Sequence, residues 1–218
     1  VDFNRAFRNG LHFQSVYTFS KAIADADSFG ANPQNPYNMK PERALAGFDR
    51  THMFIFNYIY ELPLWRRPSN LIQRILGGWQ LDGITAYQTG TPFSPGLSGA
   101  TSGLAARPDV VAGQDVRGSR TQRAWFNTAA FAAPAHGRYG NAGRNILRGP
   151  AIHKWDVGLI KNFRFRENMN VQCRWEALNA LNHTNFSGVS SALGSGTYGQ
   201  VTSARDPRGM QFGLKLEF

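Results

Sequence analysis

No stretch of the chain approaches the ~20 apolar residues that a transmembrane helix needs, although apolar residues make up 42% of its 218 positions. A helical membrane protein is thereby excluded. A barrel is not, because its strands hide their apolar residues by alternation. Cysteine is nearly absent. Cys173, the only one, can form neither an internal disulfide nor a cysteine metal cluster. On the apolar face of an expected strand it reads as a small buried or lipid-facing residue. Acidic residues are few, 14 against 24 Lys and Arg, for a net charge of +10. That balance suits an anionic partner, either nucleic acid or phosphate-bearing lipid. The arginines are scattered between expected strands rather than massed on one helix, which argues against nucleic acid. The chain opens at Val1 with neither an initiator Met nor a signal-like apolar segment. For an exported protein this predicts a fragment whose export signal lies upstream.

What is present is glycine (23 residues) and phenylalanine (16 residues), a mixture that fits strands, turns and an aromatic belt better than a helical bundle. The clearest strand is 209–218, G-M-Q-F-G-L-K-L-E-F. Met210, Phe212, Leu214, Leu216 and Phe218 fall on one face; Gln211, Gly213, Lys215 and Glu217 fall on the other. Period two is a strand. About ten residues at ~3.4 Å each, tilted by ~40°, climb roughly 26 Å, close to the ~25 Å apolar band of an outer-membrane barrel.

The same alternation predicts strands at 11–20, 79–91, 152–165 and 169–178, with 1–7 as a stub of another; a strand is expected at 51–62 as well, where both faces are fairly apolar and periodicity alone is ambiguous. Along 152–165 the apolar face carries Lys161, which has to sit near an interface and snorkel. S-N-L-I-Q-R-I-L at 69–76, stopped by Gly77 and Gly78, predicts two helical turns. R-N-G at 8–10 and R-F-R-E-N at 164–168 predict tight turns. The connections alternate: long at 22–50, 92–150 and 179–208, shorter at 8–10, 63–78 and 164–168. Structureless loops of such length are uncommon in compact soluble domains, but transmembrane barrels have this asymmetry. It puts Phe218 on the periplasmic side. The expected fold is all-β, an antiparallel up-and-down transmembrane β-barrel segment of about six strands plus a stub. Six strands are too few to enclose a lumen, so either the segment is part of a larger barrel, the favoured reading, or several chains combine.

Several motifs in order resemble one family. They are Y-T-F-S-K-A-I at 17–23, D-R-T-H at 49–52, Y-E-L-P at 60–63, G-G-W-Q-L-D-G-I at 77–84, W-F-N-T-A-A-F at 125–131, Y-G-N-A-G-R-N-I-L-R-G-P at 139–150, L-N-H-T-N-F at 181–186 and the terminal strand. The chain resembles, over essentially its whole length, the Oar-like TonB-dependent receptors of acidobacterial type. The resemblance implies the C-terminal part of a 22-stranded barrel in the cell outer membrane, whose plug and signal peptide lie outside 1–218. It implies import of a large or scarce ligand, with the TonB complex engaged through the N-terminal region. It also implies that Phe212, Leu214, Leu216 and Phe218 form the signal read by the barrel assembly machinery. The alternatives are an unplugged porin, a surface adhesin or an outer-membrane barrel hydrolase.

Asp156, Gln172, Arg174, Glu176 and Lys215 are expected to line the lumen, where cross-strand ion pairing is their ordinary role. Arg107, Arg117, Arg120, Arg123, Arg138, Arg144 and Arg148 fall in one expected outer loop, placed to meet lipopolysaccharide phosphates. The G-x-G-x-x-G at 194–199 lacks the strand lysine, catalytic loop and downstream acid of nucleotide sites, so a loop is expected there. The five histidines show no metal-ligand spacing. Asp25, Asp27 and Asp49 offer hard oxygens to Ca²⁺ without a twelve-residue binding pattern. No nucleophile motif, cofactor site or catalytic residue is evident, so no enzyme activity is expected.

Overall fold

A computed structural model describes residues 1–218 apart from 9, 29–30, 66–68, 99–105 and 167–168. Its frame is one antiparallel sheet of seven strands. We number them β1 (Asp2–Arg8), β2 (Leu11–Phe19), β3 (His52–Glu61), β4 (Trp79–Gln88), β5 (Ile152–Arg166), β6 (Met169–Leu178) and β7 (Gly209–Glu217). Each pairs with its neighbours in chain order, the up-and-down arrangement. Six strands of nine to fifteen residues match or exceed the ~9–11 residues of a tilted transmembrane strand. The sheet is open, with β1 and β7 at its edges. The expected turns at 8–10 and 164–168 lie partly outside the described residues.

One helix, α1 (Leu71–Leu76), stands between β3 and β4. Its start is written in the sequence. The Asn70 side chain accepts from the Gln73 N–H at 2.9 Å, and the Gln73 Oε1 accepts from the Ser69 N–H at 2.8 Å. These bonds satisfy amides that a helix N-terminus leaves free.

The three long connections leave from the same end of the sheet, and they are not structureless. Short pairings knit them: 109–110 with 131–132, 92–93 with 147–148, 186–189 with 201–204, 23–24 with 44–45, and a parallel pair between 96–97 and 192–193. The buried apolar cluster also lies here rather than on the sheet. Trp125, Phe126, Ala130, Phe131, Ala142 and Leu147 form it, with Phe93, Phe186 and Tyr198 packed around. The W-F-N-T-A-A-F motif is therefore the centre of a folded cap. The expectation of irregular loops fails because aromatic residues spaced far apart in the chain find one another there and exclude water.

Candidate functional site

The register sorts the sheet into two faces. One row runs Leu11, Tyr60, Leu81, Leu159, Trp175, Phe212 from β2 to β7. With it go Phe13, Tyr58, Val157, Ala177 and Met210 in the next row, then Phe56, Thr85 and Trp155, then Tyr17, Phe54 and Tyr87. This face is aromatic and aliphatic, and Cys173 belongs to it, between Lys161 and Leu214. Phe212, Leu214 and Leu216 project from it, all exposed, and Phe218 follows just beyond the end of β7, exposed as well.

The opposite face is largely polar along β6 and β7 and mixed on β3 to β5, where Met53, Ile55, Ile59, Ile84 and Ile160 stand among polar residues; it holds all five residues expected there. Arg174 pairs with Glu176 at 3.3 Å, Lys215 with Glu217 at 2.6 Å, and Lys154 with Asp156 at 2.8 Å. These ion pairs run along single strands, between residues two apart, and not across strands as expected. Side chains at i and i+2 share a face of the pleat, so a long Arg or Lys reaches its own strand's acid. The cross-strand links are amide hydrogen bonds instead: Gln172 Nε2 donates to Asn162 Oδ1 at 3.0 Å, Asn170 Nδ2 to Glu217 Oε2 at 3.0 Å, and Gln211 Nε2 to Glu176. Asp156 is also spent on structure, accepting from the Asn179 N–H at 2.8 Å where β6 ends.

Asp82, which alternation along 79–91 places on this face, has a setting that residue order does not show. It shares a row with Gly158, Glu176 and Gln211. A Cβ on Gly158 would lie 2.6 Å from Asp82 Oδ2, so only glycine leaves room for that carboxylate to lie across β5. Asp82 Oδ1 is buried with no hydrogen-bond partner among the described residues. The D-G spacing in β4 carried no hint, because the glycine that matters is on the neighbouring strand.

The cap is held by buried charge. Arg107 meets Glu42 with both guanidinium nitrogens at 2.8 Å, and both side chains are fully buried. Gln34 bridges further, accepting from the Arg107 N–H at 2.8 Å and donating to the Gly140 carbonyl at 2.8 Å. Arg144 pairs with Asp27 at 2.7 Å, Asn145 donates to Asp27 Oδ2 at 3.0 Å, and Arg148 reaches Asp49 at 3.3 Å. Burial pushes the Glu42 carboxyl up, but hydrogen bonds from Arg107 and the Gln34 N–H and the nearby positive charge bring it below its ordinary value. For Asp27 and Asp49 burial likewise acts upward and is outweighed by hydrogen bonds and by Arg144 and Arg148.

This clasp corrects the expected placement of the loop arginines. Arg107 and Arg144 are buried and Arg148 is engaged with Asp49, so they do not face lipopolysaccharide; Arg117, Arg120, Arg123 and Arg138 remain exposed. Asp27 and Asp49 are claimed by separate arginines and, with Asp25, assemble no cation cage; no group of three or more His, Cys, Asp or Glu gathers among the described residues. The G-x-G-x-x-G segment is the turn region of the 186–204 hairpin. Its Tyr198 ring packs edge-on against Phe126 at 5.2 Å, and the Gly199 carbonyl accepts from the Trp125 N–H at 2.8 Å.

A family model described as an outer membrane beta barrel domain matches residues 1–211. The chain belongs to that family. No curated protein and no solved structure matches it. For an outer membrane beta barrel domain the two faces take their meaning from solvent. In such barrels an apolar face meets lipid, a polar face lines the lumen and the long connections lie on the outer side. Within the cap, a cleft of about 250 Å³ is lined by Arg50, Arg205, Thr91, Ser187 and Ser191 together with apolar Phe93, Phe186 and Val189, and no carboxylate is in its wall among the described residues. Burial and then the charge of Arg205 act to lower the Arg50 pKa.

Proposed function

We propose that this barrel domain is the C-terminal wall of a TonB-dependent receptor of the Oar-like type, importing a large or scarce ligand. The observation that carries the reading is the cap. One apolar cluster joins the loops 92–150 and 179–208, and three buried or half-buried ion pairs join 22–50 to 92–150, a braced surface over the lumen. Rigid loops lower the entropy cost of holding a ligand. Two of the motifs that resemble the Oar-like receptors fall on these parts, since W-F-N-T-A-A-F is the cap's core and the 139–150 motif supplies Arg144 and Arg148.

In this reading β7 is the element recognised by the barrel assembly machinery, through Phe212, Leu214, Leu216 and Phe218. Lipopolysaccharide phosphates meet the exposed Arg117, Arg120 and Arg123, and the Arg50–Arg205 cleft takes an anionic group of lipid or ligand.

The discriminating experiment uses the full-length protein. Purified from outer membranes and placed in a planar bilayer, a plugged receptor passes no large steady current, and it retains a purified periplasmic TonB domain on a column. A large steady conductance with no TonB retention would replace the transporter with an open porin.

A further inference from the structure

The helix α1 is amphipathic in an inverted sense. Leu71, Ile72, Ile75 and Leu76 are 72, 66, 48 and 47% exposed, while Gln73 between them turns inward to bond Ser69. Leu64 and Trp65, just upstream, are exposed as well. In water such a helix would roll over to bury its aliphatic stripe.

It is prevented from rolling by its C-terminal end. Lys161 is 2% exposed, and its Nζ donates to the Arg74 carbonyl at 2.7 Å and to the Gly77 carbonyl. These are the free carbonyls a helix leaves at its C-terminus, where a cation is favoured. The Trp79 Nε1 donates to the Ile75 carbonyl at 3.2 Å. Lys161 also lies 4.8 Å from the Phe163 ring centroid and 5.8 Å from that of Trp79, within cation–π reach. Lys161 and Trp79 belong to the aromatic, lipid-facing side of the sheet, opposite each other on β5 and β4. The helix is therefore pinned against that side, at the end of the strands away from the cap.

We propose that α1 is an interfacial helix that inserts Leu71, Ile72, Ile75 and Leu76 into the periplasmic leaflet of the outer membrane, with Lys161 as its positioning residue. The occupant is lipid, because the helix continues the surface that already faces lipid. The strands it joins are β3 and β4, in the middle of the sheet, so strands added at β1 or β7 do not reach it. Leu71, Ile72, Ile75 and Leu76 meet acyl chains near the headgroups, Trp65 and Trp79 lie at the level where indoles concentrate, and Arg74 is placed to reach lipid phosphate. The proposal rests on the membrane placement of the sheet and not on the transport reading.

The test uses the full-length protein, with Cys173→Ala, in vesicles of phospholipid carrying doxyl labels at shallow or deep acyl positions. An environment-sensitive fluorophore is attached after Ile72→Cys or, in a second variant, Ile75→Cys. A control carries it after Tyr37→Cys in the cap. Heat-modifiable mobility confirms that each variant is folded. At Ile72 and Ile75 the emission shifts to the blue and is lost mostly to the shallow label, and iodide in the buffer has no effect. At Tyr37 iodide quenches and neither doxyl label does. Adding Lys161→Met to Ile72→Cys reduces the shallow-label quenching at least twofold in a barrel that is otherwise folded. Iodide quenching at Ile72 and Ile75 without doxyl quenching would overturn the proposal and leave α1 in the periplasm. Protection from both quenchers, with crosslinking to another polypeptide, would overturn it in favour of a protein partner.

Discussion

Glu42 and Arg107 show at the scale of single residues why the cap holds. Both charges are buried, and each is the other's main partner. Removing one leaves an uncompensated charge in low dielectric, at a cost of ~3–5 kcal/mol. Glu42→Ala is therefore expected to open the cap locally, with amide exchange in residues 31–46 and 106–112 accelerating by about two decades or more while the sheet is unchanged. Equal exchange rates in variant and parent would show that the pair contributes nothing. The sign with pH follows from the same pair. The folded Glu42 and Asp27 carboxyls lie below their ordinary values of 4.5 and 3.8, so protonation favours the opened cap. Their contribution is complete above those values and is lost as pH falls through the depressed folded ones. The near-ultraviolet dichroism of the cap aromatics should persist in mild acid and fade only below about pH 4. Glu42→Gln should lessen that acid step.

At the scale of elements, β7 differs from the other long strands. One of its edges pairs with β6 along nine residues, and no strand among the described residues pairs with the other. Its apolar face is exposed along its length. A free strand edge is a template for another strand, which suits an element that has to be recognised and then paired when a barrel closes. The full-length protein with Phe218→Asp and Leu216→Asp together is expected to reach the outer membrane at a fraction of the parent level and to accumulate in the periplasm. Deletion of the β6-facing contact instead, by Cys173→Ala, should leave the level unchanged. Normal outer-membrane levels of the double variant would remove β7 from the role of assembly signal.

At the scale of the whole molecule, two differently stabilised parts share one chain. The sheet depends on lipid outside and on a polar lumen inside, and its hydrogen-bond ladder is continuous from β1 to β7. The cap depends on its own apolar cluster around Phe126 and Phe131. Separate cores predict separable unfolding. Replacing 92–148 with a short turn in the full-length protein should leave insertion and heat-modifiable mobility intact while removing the cap's near-ultraviolet signal. A chain that no longer inserts would mean that the cap is needed to fold the wall.

Alternation made most of the long strands and their faces legible from residue order alone, but not β3, where both faces are apolar and only the register with β2 and β4 sorts them. The period of a pleat is local, and a slip of one residue would turn Phe212 and Trp175 into the lumen. The difference between short and long connections likewise showed which end carries the loops, and Gly77 marked the end of α1, whose start lies two residues beyond the expected Ser69. The destinations of the charges were not legible. Glu42 and Arg107 stand 65 residues apart in the chain, and nothing near either one names its partner. The same holds for Asp82, whose space is made by a glycine on another strand, and for Lys161, which looked like a fault in an apolar face until α1 closed over it. A strand's faces follow from neighbours two residues away, whereas a buried ion pair, a cleared space or a capped helix end exists only after distant segments have packed and excluded water.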